Sequence, residues 1–196
     1  MFTVGAVVVA ICRLNGISRG YRKYMKNILT IYEQDIFPEA PIVDTAGFSR
    51  REAARAVVYD DAGKIALLRA GLHSYHKLPG GGIDEGEDVP TALGRELLEE
   101  IGCRAEVTGE VGKIIEYRDQ FQLEQISYCF IAQQVGEKGE PNFTERELQD
   151  EFSIVWVDDI DHAIALLKQD KPADYGSRFI QKRDLAILKA AKEHAV

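Results

Sequence analysis

The sequence predicts a single α/β domain, a mixed sheet with helices on both sides, and three observations support this. Short β-rich runs recur through the middle of the chain, one helix with sharply divided faces interrupts them, and two stretches of helical periodicity close it. The 196 residues are 45% hydrophobic, enough for one domain with a proper core and short for two independent ones.

The first 24 residues, "MFTVGAVVVAICRLNGISRGYRKY", run from apolar to basic, and Met25 then opens "MKNILTIYEQDIFPEAP". Two readings stay open: translation starts at Met25, or the segment is a real N-terminal strand. Residues 1–50 are accordingly read as an extension and linker, and 51–196 as the main domain with its C-terminal helices. The opening apolar run is too short to span a bilayer and lacks a basic leader, so neither a membrane span nor export is expected. Arg19, Arg22, Lys23 and Lys26 among Tyr21 and Tyr24 read as a solvated linker.

From Ala53, "ARAVVYDDAGKIALLRA" gives two strands around a turn at Asp60 to Gly63, with Val57, Val58, Ile65, Leu67 and Leu68 as buried positions. Pro79 and three glycines in "HKLPGGG" break that pattern. A helix follows over about 88–101: Asp88 suits the N-cap, Pro90 the first turn, and Gly102 the C-terminal stop. "AEVTGEVGKIIEYR" and "QISYCFIAQQV" read as strands, "GEKGEPNFTERELQDE" as a polar loop with a short helix, and "FSIVWVD" as a further strand. Two helices finish the chain.

Net charge is -8 and the pI about 5.1, so the overall field does not favour nucleic acid or an anionic membrane, and a polyanionic substrate would need local cations. Cys12, Cys103 and Cys129 show no metal-binding spacing and read as reduced core residues of a cytoplasmic protein.

The central helix carries the chemistry. At about 100° per residue, Leu93, Leu97, Leu98, Ile101 and Pro90 share one arc, and Glu96, Glu99 and Glu100 lie opposite. Gly94 falls among the apolar positions, which implies a second backbone packed close there. Like charges at this spacing repel, and Arg95 alone does not balance three carboxylates. A hard divalent cation does, since Mg²⁺ or Mn²⁺ takes oxygen ligands and sits between carboxylates and substrate phosphates.

The stretch "GGIDEGEDVPTALGRELLEEIGC", Gly81 to Cys103, resembles the signature of the Nudix hydrolase family, with Gly81, Glu87, Arg95, Glu96, Leu97, Glu99, Glu100 and Gly102 in register. Cys103 in the last aliphatic slot is the one departure, and a small buried hydrophobe fits there. The resemblance extends over roughly 53–158. It implies an α/β/α sandwich with a mixed sheet and a loop-helix-loop catalytic motif. It further implies Glu96, Glu99, Glu100 and the Gly80 carbonyl as metal ligands, and Glu87 with Arg95 as the pair tying loop to helix.

The implied reaction is Mg²⁺-dependent hydrolysis of a diphosphate linkage in a nucleoside diphosphate joined to another group, with catalytic roles for Glu99, Glu96 and Arg95. Candidate bases from the later loop are Glu145, Glu147 and Glu151, of which Glu147 is taken forward. Markers of ADP-ribose, NADH and coenzyme A hydrolases are not evident, which favours a nucleoside triphosphate, oxidised purines included, cleaved to monophosphate and pyrophosphate. The alternatives are an ADP-sugar or ADP-ribose diphosphatase and a non-catalytic nucleotide-sensing module. Lys77, Arg118 and Tyr75 are candidate substrate contacts, and Tyr117, Phe121 and Phe143 further candidates for stacking. His73 and His76 would point to opposite faces of a strand, so a paired metal site is not expected. No stable nucleic-acid complex is expected, and the resemblance admits a homodimer.

Overall fold

The computed structural model describes residues 25–194, so the alternatives for the first 24 residues lie outside the described residues. Eight strands form one mixed sheet: β1 (Asn27–Ile31), β2 (Ser49–Tyr59), β3 (Ile65–Ala70), β4 (Tyr75–Lys77), β5 (Gly80–Gly82), β6 (Arg104–Arg118), β7 (Leu123–Val135) and β8 (Phe152–Val157). The helices are α1 (Val89–Ile101), α2 (Glu145–Gln149), α3 (Ile160–Gln169) and α4 (Tyr175–His194). The main path runs β1-β6-β7-β2-β3-β4, with β5 against β2 and β8 against β3. β1 with β6 and β2 with β7 are parallel, and the remaining pairs are antiparallel.

The period-two alternation of β2 builds two cores. Ala54, Ala56 and Val58 pack with Leu93, Leu97 and Ile101 of α1 on one face. Val57 on the other face joins Leu67, Ile114, Cys129 and the apolar side of α3 and α4, including Leu167, Phe179, Ile187 and Leu188. This is the expected α/β/α sandwich. Cys103 and Cys129 are both buried and free.

The hairpin positions expected to be buried are fully so, and Asp60 closes the turn by accepting from the Ala62 and Lys64 N–H groups. α1 starts and stops where its caps dictate. Asp88 accepts from the Thr91 N–H, Pro90 sits in the first turn, and Gly102 adopts the left-handed conformation at φ 64°.

Three expectations change. Residues 27–31, read as part of an extension, form β1 and pair in parallel with β6. The glycine run read as a break is itself a strand: β5 pairs with Ala53, Ala54 and Arg55, and Gly80 at φ 127° lies so close to the Ala54 carbonyl that any side chain would overlap backbone. The division of α1 also differs from a two-sided wheel, since Leu98 is half exposed while Glu100 is only 3% exposed. The helix lays its carboxylate edge along β5 rather than into water.

The close backbone expected at Gly94 is absent: a Cβ there would meet nothing within 4 Å. The structure gives no packing reason for a glycine at this site, where it lowers helix stability by about 1 kcal/mol relative to alanine. Gly94→Ala is therefore expected to raise the melting temperature by roughly 2–4 °C for a domain of this size. A lowered Tm in a thermal melt would show that this position has a packing role.

Candidate active site

The principal residues expected from the sequence to be catalytic, metal-binding or substrate-binding line one cleft of about 460 Å³. Glu96, Glu99, Glu100, Arg95, Gly80, Lys77, Tyr75, Arg118 and Glu147 all border it. The cleft opens along β5, between the carboxylate edge of α1, the start of α2 and one turn of α4.

Arg95 organises its mouth. Its Nε and Nη2 donate to the two oxygens of Glu87 at 3.1 and 3.0 Å, Nη2 also reaches the Gly82 carbonyl at 3.0 Å, and Nη1 bridges Glu96 at 2.9 Å and Glu99 at 3.3 Å. All five guanidinium donors are used, which fixes the loop after β5 onto the helix. The hydrogen bonds from Arg95 hold Glu87 below the usual carboxylate range. Glu96 is pushed the other way, first by burial and then by the neighbouring charge of Glu100.

Glu100 sits deeper. It accepts from the Gly80 N–H at 2.6 Å and from Lys77 Nζ at 2.7 Å. The Gly80 carbonyl in turn accepts from Arg55 Nη1 at 2.7 Å. One residue thus joins the carboxylates to a second group of charges beneath them. Gly81 lies against the Glu96 carboxylate, so an added Cβ would overlap it. In Gly81→Ala the flexible carboxylate moves and the backbone does not, so the Tm is expected to stay within about 2 °C. Any activity that uses Glu96 should fall at least about tenfold, or about 1.4 kcal/mol. Unchanged kcat/KM in this variant would mean that the position of Glu96 is unimportant.

Of the three later-loop acids, only Glu147 reaches the cleft. Its Oε2 accepts from the Thr144 N–H and hydroxyl, forming the capping box of α2, so its orientation is fixed by the helix start. Tyr75 forms part of the wall. Tyr117 instead stacks on Tyr32, Phe121 packs edge-on against Tyr175, and Phe143 packs edge-on behind the lining residue Phe152, so none of the three lines the cleft. His76 anchors β4 to Asp170 at 3.0 Å, and His73 pairs with Asp150 at 3.1 Å.

Local reading missed Arg51, Arg55, Arg146 and Arg183, and with them Gln125, Phe152 and Ile180 of the same lining. The cleft therefore carries seven basic and five acidic side chains in a protein of net charge -8, which supplies the local cations a polyanion requires. A clue was present at Arg55, an arginine within the apolar run of a strand. For Arg183, in a helix of ordinary amphipathic pattern, no local signal stood out.

The model of the NUDIX domain matches residues 49–176. This chain belongs to the Nudix family. Over 90 residues the chain is 41% identical to an RNA pyrophosphohydrolase of Wolbachia pipientis subsp. Culex pipiens, covering 45% of this chain and 54% of that one. A putative 8-oxo-dGTP diphosphatase of Bacillus subtilis is 34% identical over 74 residues, 38% of this chain and 48% of the relative. The chain spans about a third to just over half the length of the curated relatives it matches. Among solved structures, a MutT protein from Methanosarcina mazei superposes with a TM-score of 0.51 at 18% identity, over 76% of this chain and 97% of that one, a likeness of fold.

Nudix proteins generally use a divalent metal, and the donor chemistry here fits one. Among the described residues no three His, Cys, Asp or Glu side chains close into an all-protein metal cage. Mg²⁺ does not require one, because it is held through one or two carboxylates and completes its shell with water and substrate phosphate. Glu96 and Glu99 are the oxygen donors at the cleft mouth, with Glu99 the more exposed, while Glu100 is tied down by Lys77 and Gly80. No helix among the described residues is long and apolar enough to cross a membrane.

Proposed function

We propose that this protein is a Mg²⁺-dependent pyrophosphohydrolase of nucleoside polyphosphates, cleaving a phosphoanhydride within a nucleoside triphosphate to release monophosphate and pyrophosphate. The observation that carries this is the convergence of Glu96, Glu99 and Glu100 along one edge of a cleft whose remaining charged lining is mostly arginine and lysine. Glu96 and Glu99 would hold Mg²⁺, with Mn²⁺ a substitute, and Glu100 supports them from behind. When bound, the metal neutralises phosphate oxygens and makes water more acidic.

The chain's own groups do the rest. Arg95 fixes the two outer carboxylates, the glycines of β5 admit phosphate close to the backbone, and Lys77 and Arg118 neutralise substrate oxygens. The proton acceptor is drawn from Glu96, Glu99 and Glu147, the cleft glutamates not held by Lys77. The relatives named RNA pyrophosphohydrolase and 8-oxo-dGTP diphosphatase support a nucleotide phosphoanhydride as the point of attack, and the first name adds RNA as a second substrate class to test.

The test is a Mg²⁺ panel of normal and oxidised nucleoside triphosphates, 5′-triphosphorylated RNA, ADP-ribose and ADP-sugars, with products separated by chromatography. Triphosphates should yield monophosphate and pyrophosphate, chelation should stop turnover, and Mg²⁺ should restore it and raise the Tm. Saturable nucleotide binding without hydrolysis of any panel member would instead make this a nucleotide-sensing module.

A further inference from the structure

Beneath the carboxylates, on the α4 face of the sheet, lies a polar cluster of which the reaction as described uses Arg118 alone. β2 contributes Arg55, β6 contributes Glu116 and Arg118, β7 contributes Gln125, and α4 contributes Arg183 and Asp184, all of them buried. Arg183 donates from Nε to Asp184 at 2.7 Å and lies 3.6 Å from Glu116 through Nη1. Arg118 donates to Glu116 at 2.8 Å, and Gln125 donates to the same carboxylate at 3.0 Å. Three guanidiniums thus face two carboxylates, which leaves a surplus positive charge out of water.

Two donors stay unsatisfied. Arg118 Nε and Arg183 Nη2 are buried and without a hydrogen-bond partner among the described residues, although Arg118 is only 9% exposed and Arg183 1%. A buried charged donor without an acceptor is unfavourable unless a ligand supplies one. Both side chains, with Arg55 and Gln125, form part of the cleft lining. Burial, then the like charge of Arg183, pulls Arg55 down to about 10, so it remains a cation near neutral pH. Arg183 lies beyond the residues matched by the Nudix domain model, on α4.

Gly80 sets the distance to the carboxylates. Its N–H is held by Glu100 and its carbonyl by Arg55, so a single residue separates the arginine floor from the acidic helix. We propose that Arg55, Arg118 and Arg183, with Gln125, form an anion subsite that receives the terminal phosphate of the substrate, selecting nucleoside polyphosphates with a free phosphate end over diphosphates capped by a sugar. This rests on the hydrolase reading above for its substrate, and on the cluster alone for anion binding. Guanidinium forks are suited to phosphate oxygens, and a terminal phosphate carries more charge than an esterified one.

The two parts separate experimentally. Calorimetric titration of the full chain in EDTA should show saturable binding of tripolyphosphate at least tenfold tighter than that of AMP. Arg118→Gln should weaken tripolyphosphate binding at least tenfold. Ile180→Glu should do the same by placing a carboxylate on the α4 wall, and it keeps the buried network intact should the first variant fold poorly. Absence of polyphosphate binding in the wild type, or binding unchanged in both folded variants, overturns the subsite. With Mg²⁺, kcat/KM for a nucleoside triphosphate should fall at least tenfold more than that for UDP-glucose in each variant, and equal losses overturn the selectivity. Polyphosphate binding with hydrolysis of neither substrate supports the subsite and overturns the hydrolase reading.

Discussion

Glu99→Gln is expected to lower turnover at least about a hundredfold, about 3 kcal/mol of transition-state stabilisation, while leaving the fold intact. The side chain is 43% exposed and its one side-chain hydrogen bond among the described residues is a 3.3 Å bond from Arg95, so the amide should change stability by no more than about 0.5 kcal/mol. What it removes is one of two carboxylate charges at the cleft mouth. Glu100→Gln is the informative contrast. There the amide faces Lys77 Nζ and leaves a buried ammonium without its counter-charge, so a stability loss of about 1–3 kcal/mol should accompany the loss of rate. Steady-state kinetics with urea denaturation on both variants separates the two effects. Wild-type kcat in Glu99→Gln would remove this residue from the mechanism.

Arg183→Met is expected to be the most destabilising single change, by about 3–5 kcal/mol, because it takes the cation from a pair that is fully buried. Asp184 would keep only the Leu78 N–H, at 2.8 Å, and Glu116 would keep Arg118 and Gln125. Methionine fills much of the volume, so the loss reports charge rather than a cavity. Burial by itself works to lower the affinity of Arg183 for its proton, but Asp184 and Glu116 override it and hold the guanidinium firmly charged. Thermal denaturation should show a Tm fall of roughly 10 °C or more. A change below about 1 kcal/mol would mean that the buried carboxylates find other partners.

Much of the site was legible because its residues lie within one helix and the loop before it. The register of Gly81, Glu87, Arg95, Glu96, Glu99 and Glu100 is a local pattern, and α1 begins at Asp88 and ends at Gly102 because capping depends on the few residues nearest each terminus. The hairpin around Asp60 was readable for the same reason. Glu100 was harder. Helical periodicity shows that three acids share one side, but not that a sheet edge rises against one of them and supplies Gly80 and Lys77 as partners. The open space at Gly94 and the exposure of Leu98 likewise depend on what the rest of the fold brings against the helix.

The sequence by itself determined the mixed α/β class, the extent of α1 and the three carboxylates at its edge, since each depends on periodicity, caps or spacing within a short run. Only the tertiary structure decided the rest of the cleft. Arg55, Arg118 and Arg183 come from β2, β6 and α4, elements far apart in the chain whose individual patterns carry no sign of one another. The parallel pairing of β2 with β7, and the packing of α4 across that face, place them together. Desolvation then turns three ordinary arginines into a floor with charge to spare, because a cation's demand for a partner is set by what surrounds it and not by its neighbours in sequence.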